Sequence, residues 1–167
     1  IVVGNITVGG TGKTPLVLAL VDHFKQLRYR PAVISRGYKG AAPSWPQRVS
    51  LDKPSSWFGD EAVMMLKKTK VPIAVGPDRV AAIKLLLETT DCNLIISDDG
   101  LQHYALEPAV TIALIDGKRM FGNGHCLPAG PLREPKARAA SFDFLLTHGG
   151  SLQSKTFHMH LKPSKII

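Results

Sequence analysis

Thr7-Val8-Gly9-Gly10-Thr11-Gly12-Lys13-Thr14 stands between a short β-branched run, Ile1 to Val3, and a stretch, Thr14 to Leu27, that carries Leu16, Leu20, Phe24 and Leu27 at helical spacing. A glycine-rich turn between a strand and a helix lets backbone N–H groups close around an anion, and the helix adds its positive end. A triphosphate needs that density of donors. In the pattern G-x-x-x-x-G-K-[ST] the lysine reaches the β and γ oxygens and the hydroxyl residue holds Mg²⁺, roles that fall to Lys13 and Thr14. Thr7 occupies the place of the first glycine. Pro15 is tolerated because a first-turn N–H has no acceptor within the helix. A dinucleotide site is disfavoured, since Thr14 and Pro15 stand where the third glycine of G-x-G-x-x-G would fall.

Outward from this octet, apolar runs alternate with helical periods. Strands are predicted at Ala32 to Ser35, Val71 to Val75, Asn93 to Ser97, Val110 to Ile115 and Phe142 to Thr147, and helices at Asp60 to Lys68 and Asp78 to Thr89. Continuous apolar strands belong in a sheet covered on both faces. The fold class that follows is α/β: a three-layer, P-loop NTPase-like domain with a mostly parallel sheet, spanning residues 1–167 as one unit. Two stretches, Tyr38 to Gly59 and Gly117 to Pro135, resist regular structure and read as substrate-facing loops.

Asn93-Leu94-Ile95-Ile96-Ser97-Asp98-Asp99 is an apolar strand running into two acids. At the carboxyl end of a parallel strand such acids can hold Mg²⁺ directly or through water. Gly59-Asp60-Glu61 places two more acids at a helix start, where either could accept the proton of an attacking hydroxyl or Asp60 could simply cap the helix. Glu61 joins Thr14, Asp98 and Asp99 as a candidate metal ligand. Arg36, Arg79 and Arg133 follow strands or lie in the Pro/Gly-rich loops, where a guanidinium suits phosphate, although each alone reads as solvated. His103 either touches substrate or finishes a turn. His158 and His160, two apart on a strand, suggest a metal pair but lack a third ligand, and His125 with Cys126 reads the same way.

Lys plus Arg at 21 against Asp plus Glu at 13 gives a net charge of +8 and favours an anionic partner. The basic residues are scattered, so nucleic acid is not expected. Cys92 and Cys126 have no CxxC spacing, which fits a reducing compartment. No run approaches the ~18 to 20 apolar residues that cross a bilayer. The start at Ile1, inside a strand, suggests a fragment.

Together these residues resemble the tetraacyldisaccharide 4'-kinase family, the lipid A 4'-kinases of Gram-negative bacteria. The resemblance rests on Gly4-Asn5-Ile6-Thr7 through Pro15, Ser35-Arg36-Gly37-Tyr38, Gly59-Asp60-Glu61, Ser97-Asp98-Asp99-Gly100-Leu101-Gln102-His103, and Gly122-Asn123-Gly124 with Leu127-Pro128-Ala129-Gly130-Pro131-Leu132-Arg133-Glu134-Pro135. They follow the family order across most of the chain, and the family also has Thr at the Thr7 position. The resemblance implies transfer of the ATP γ-phosphoryl group to the 4'-hydroxyl of a tetraacyl disaccharide 1-phosphate, giving lipid IVA at the cytoplasmic face of the inner membrane. It implies ATP and Mg²⁺ as cofactors, and a lipid substrate and an anionic membrane surface as partners, with no obligate protein partner. Thr7, Val8, Gly9, Gly10, Thr11, Gly12, Lys13 and Thr14 would bind nucleotide, with Lys13 also catalytic. Thr14, Asp98, Asp99 and Glu61 would hold metal, and Asp60 becomes the expected base. Arg36, Tyr38, Arg79, Gln102, His103, Asn123 and Arg133 would line the acceptor side. The family's N-terminal anchor, and a C-terminal lobe whose histidine assists the catalytic Asp, are not matched here, so the 167 residues are expected to bind nucleotide better than they turn over.

A membrane-associated P-loop switch is the rival class. A GTPase would carry an Asn/Thr-Lys-x-Asp segment where Thr147-His148-Gly149-Gly150 stands, and a membrane-partitioning ATPase often has an early Lys where Val8, Gly9 and Gly10 stand. A glycolipid-binding module without catalysis would need neither Lys13-Thr14 nor Asp98-Asp99.

Overall fold

The computed structural model describes residues 1–150 and 156–161. The strands are β1 (Val2–Gly4), β2 (Pro31–Ser35), β3 (Gln47–Arg48), β4 (Ile73–Val75), β5 (Leu94–Asp98), β6 (Thr111–Asp116), β7 (Phe144–His148) and β8 (Phe157–Met159); the α-helices are α1 (Lys13–Gln26), α2 (Asp60–Thr69) and α3 (Arg79–Thr89). Among the described residues they form a sheet ordered β3-β4-β2-β5-β1-β6-β7-β8. Every pairing is parallel except that of β3 with β4. The α/β expectation holds, and the boundaries shift by one or two residues.

Period two explains the layering. On β2, Val33 joins the cluster that packs under α1 and α2 with Val17, Val21 and Met65, while Ala32 and Ile34 join Ala82 and Leu86 of α3 on the opposite face. All five residues of β2 are buried, as a strand covered from both sides requires. Asp78 caps α3, accepting from the Ala81 amide at 3.0 Å.

Residues 38–59 are less irregular than their composition suggests. Gln47 and Arg48 form the antiparallel edge strand β3, and Ser55–Trp57 makes a 3₁₀ turn. A two-residue strand has no periodicity to read. Because β1 lies between β5 and β6, and β5 separates it from β2, the carboxyl ends of β1 and β5 open beside one another. A parallel sheet binds ligands at such a point.

Candidate functional site

Chain geometry at the end of β1 builds an anion cradle. Gly12 caps α1 in the left-handed region, φ 88° and ψ 24°, and a Cβ there would lie 3.0 Å from Met159 Cε. Asn5, with no exposed surface, holds the turn from inside: its Nδ2 donates to the Thr7 carbonyl at 2.7 Å, and its Oδ1 accepts from Lys13 Nζ at 3.1 Å. From outside, the Val8 amide donates to the Pro131 carbonyl at 2.8 Å and the Arg133 amide to the Ile6 carbonyl at 2.7 Å. The phosphate loop is thus clamped between its own asparagine and residues 131–133.

Three carboxylates face this cradle. Asp98, at the end of β5, is 3% exposed and its Oδ1 has no hydrogen-bond partner. Burial first, then the neighbouring Glu61 and Asp99 charges, push its pKa up to about 7, against the pull of Lys13 and Arg79. Asp99 follows at φ 52°, a conformation Asp adopts more readily than most residues. Its two carboxylate oxygens each accept from Arg133 Nη1 at 3.1 Å, and Lys13 Nζ lies 3.5 Å away. Glu61, on the first turn of α2, accepts a short hydrogen bond from the Thr14 hydroxyl.

Gly59, not Asp60, caps α2. Its φ is 85°, and a side chain there would collide with the Tyr38 carbonyl. Asp60 is the first helical residue and is exposed, and no side-chain bond caps the helix, so the capping role open to Asp60 from the sequence is not the one it takes.

A cleft of about 920 Å³ runs across these elements. Of the sequence-predicted nucleotide residues it is lined by Val8, Gly10, Thr11, Gly12, Lys13 and Thr14, whereas Thr7 and Gly9 are not part of its lining. Glu61, Asp98 and Asp99 line it, and Asp60 does not. Arg36, Tyr38, Arg79, Gln102, His103 and Arg133 line it as well. His103 does two things, lining the cleft while its amide closes a turn on the Gly100 carbonyl at 3.0 Å. Arg79 is not the solvated arginine its type suggests. It is 4% exposed, its Nη1 donates to the Gly76 carbonyl at 2.6 Å, its Nε has no partner, and burial lowers its pKa.

Asn123 is the acceptor-side candidate that the structure leaves outside. Its Nδ2 donates to the Ala129 carbonyl at 2.9 Å and its Oδ1 accepts from the His125 amide at 3.1 Å, so it staples its own loop. His158 bonds Thr147 Oγ1 through Nδ1 at 3.0 Å and stacks edge-on against His160. No group of three His, Cys, Asp or Glu side chains able to hold a metal occurs among the described residues.

Mg²⁺ does not require such a group, because it takes one or two carboxylates and completes its shell with water and phosphate oxygens. The donor set fits that habit. Asp98 has an unpartnered oxygen, and Glu61, Asp99 and the Thr14 hydroxyl supply hard oxygen donors around the same space. A divalent ion would offset the burial and the neighbouring carboxylate charges that raise the Asp98 pKa.

Asn5, Arg119 and Glu134 were given no role from the sequence. Arg119 pairs with Asp116 at 2.9 Å and its Nη2 lies 3.4 Å from the Gly10 carbonyl, beside the loop. Asn5 immediately follows the strand that feeds the loop, which is the one signal that marks it. Glu134 is an acid four residues before Arg138 in a Pro/Gly-rich segment, a spacing that marks an ion pair but not its burial.

Comparison with known proteins bears on this geometry. The family model described as tetraacyldisaccharide-1-P 4'-kinase matches residues 1–166. A tetraacyldisaccharide 4'-kinase of Nitrosococcus oceani is 54% identical over 149 residues, covering 89% of this chain and 44% of that protein. One from Vibrio cholerae is 48% identical over 167 residues, covering 100% of this chain and 50% of its own length. The crystal structure of LpxK from Aquifex aeolicus in complex with ATP superposes with a TM-score of 0.83 at 31% identity, over 95% of this chain and 52% of that one. The chain therefore spans about half the length of the relatives it matches.

Proposed function

Because the chain belongs to the tetraacyldisaccharide-1-P 4'-kinase family, we propose that it forms the nucleotide-binding core of an enzyme that transfers the γ-phosphoryl group of ATP to the 4'-hydroxyl of a tetraacyl disaccharide 1-phosphate, giving lipid IVA. The observation that carries this reading is the meeting of Lys13, Thr14, Glu61, Asp98 and Asp99 in one cleft that Arg36, Arg79, Arg133 and Tyr38 also line. Phosphoryl transfer asks the protein for positioning and charge stabilisation more than for covalent chemistry. Lys13 and the loop amides hold the phosphates. Thr14, Glu61, Asp98 and Asp99 hold Mg²⁺, which when bound neutralises charge on the β and γ oxygens. Arg36 and Arg79 face the anionic acceptor, and Arg133 keeps Asp99 in place.

Asp60 is the residue we assign as base. It begins α2 next to Glu61, which lines the cleft. The acceptor carries long acyl chains, which places the cleft mouth against a membrane surface, the cytoplasmic face of the inner membrane. The net charge of +8 suits anionic headgroups. No helix among the described residues is long and apolar enough to cross a membrane.

The test is transfer of labelled phosphate from ATP to the disaccharide by the intact protein. Lys13→Ala is expected to abolish transfer. Asp60→Ala is expected to lower kcat by about 10²- to 10⁴-fold while ATP affinity stays within about twofold. ATP hydrolysis that ignores the disaccharide and yields no phosphorylated lipid would replace this reading with a nucleotide switch.

A further inference from the structure

Next to the residues that clamp the phosphate loop, a buried acid has no part in the chemistry described above. Glu134 is 5% exposed, in a segment otherwise rich in proline and glycine. Both of its oxygens are engaged: Oε1 accepts from Gln102 Nε2 at 2.6 Å, and Oε2 accepts from Arg138 Nε at 3.1 Å. A buried carboxylate is expensive unless each oxygen is satisfied in this way.

The geometry points to Glu134 as a positioning residue that sets Asp99 through Gln102 and Arg133, an inference that deepens the phosphoryl-transfer reading at its metal-facing end. An ionised carboxylate can only accept, so it dictates which end of the Gln102 amide turns toward it. The second Gln102 N–H is taken by another pure acceptor, the Asn5 carbonyl, at 3.1 Å. Both donors are spent, and Gln102 Oε1 is left facing Arg133, whose Nη1 lies 3.3 Å away. That same Nη1 bridges the two oxygens of Asp99 at 3.1 Å. Gln102 lines the cleft, but its polar atoms serve this relay.

The relay has direction because of its ends. Arg138 secures Glu134 from the outer side, and Gln102 is tied to Asn5, the residue that also holds Lys13. Asp99 is therefore approached from one side by Lys13 and from the other by an arginine whose place depends on Glu134. A glutamine at 134 puts an NH2 donor in place of one carboxylate oxygen, so that group faces either the Gln102 amide or the Arg138 guanidinium and one of the two bonds is lost, while Tyr104, which also bonds this carboxylate, faces an uncharged partner. Outer groups that orient a metal-facing ligand typically change affinity for the ion when removed.

The experiment is a titration of Mg²⁺ into the intact protein with a fluorescent ATP analogue and no disaccharide, for wild type, Glu134→Gln, Arg133→Ala and the double variant. Glu134→Gln is expected to raise the Mg²⁺ concentration at half-saturation by about tenfold. In the Arg133→Ala background the same substitution is expected to add less than about twofold, because residues acting through one another are not additive. Unchanged Mg²⁺ dependence, or effects of the two single variants that simply multiply, would overturn the inference. If Glu134→Gln folds poorly by circular dichroism, Gln102→Met carries the same test with the same coupling to Arg133→Ala. A wild type that binds Mg²⁺ and the analogue but transfers nothing to the disaccharide would end the functional reading and leave this one standing.

Discussion

Residues 117–135 reach the cleft with their backbone bonded to the phosphate loop, whereas residues 38–59 reach it with the Tyr38 side chain and otherwise seal the sheet. In the first segment the Pro131 carbonyl and the Arg133 amide bracket Ile6 to Val8, and Leu132 between them has no exposed surface. In the second, the Val49 amide donates to the Ile73 carbonyl at 2.8 Å, β3 extends the sheet past β4, and Trp45, Trp57 and Phe58 pack into the main core. Proline and glycine mark both segments as irregular. Where the backbone donors go is what separates a wall of the site from a cover of the fold.

The largest expected effect tests that division directly. Leu132→Ala leaves a cavity under the phosphate loop and is expected to cost about 2–5 kcal/mol, with weaker binding of ATP alongside. Val49→Ala in the other segment is expected to cost roughly 1 to 3 kcal/mol and to leave ATP affinity unchanged. Urea denaturation and nucleotide titration of the intact protein read both quantities. Equal losses of ATP affinity in the two variants would break the comparison.

A smaller effect sharpens it at the acids. Asp98 has a pKa of about 7 in the folded protein, above the ordinary value of 3.8. The folded state then binds the extra proton between these values, so stability of the metal-free protein is greatest below pH 4 as far as this group is concerned and falls as pH rises toward 7. For one proton the slope is roughly 1.4 kcal/mol per pH unit where the difference is full. Asp98→Asn is expected to flatten that slope, and Mg²⁺ with ATP to flatten it too, since a cation favours the ionised form. Denaturation midpoints measured from pH 4 to pH 8 check both. A slope that survives Asp98→Asn would assign the titration to another group.

The parts of the site that were legible in the sequence are those built from neighbours in the chain. Gly9 to Thr14 needed only a strand before and a helix after. Asp98 and Asp99 needed only the end of an apolar run, and the acids at 60 and 61 needed a helix start. What the sequence hid is made by chain folding back across long separations. Gln102 meets Glu134 across 32 residues and the Asn5 carbonyl across 97, so no spacing announces either. Arg79 reads as solvent-facing because arginine usually is, and only the fold shows it almost fully buried in the cleft lining. Asn123 is the opposite case. The family resemblance put it on the acceptor side, but its amide is engaged by local turns to Ala129 and His125 and it does not line the cleft.

The smallest expected effect on the fold belongs to Tyr38, which is 71% exposed yet lines the cleft beside Arg36. Its side chain leaves little apolar surface to lose, so Tyr38→Ala is expected to change stability by no more than about 0.5 kcal/mol. If residues 38–59 touch the chemistry through this one ring, the substitution raises the KM for the disaccharide by roughly 3- to 10-fold, the worth of one aromatic contact, while the KM for ATP holds. Steady-state kinetics with each substrate varied in turn separate the two constants. An equal rise in both would mean that the 38–59 side also supports the nucleotide, and the division between a bonded wall and a single contributed ring would not survive it.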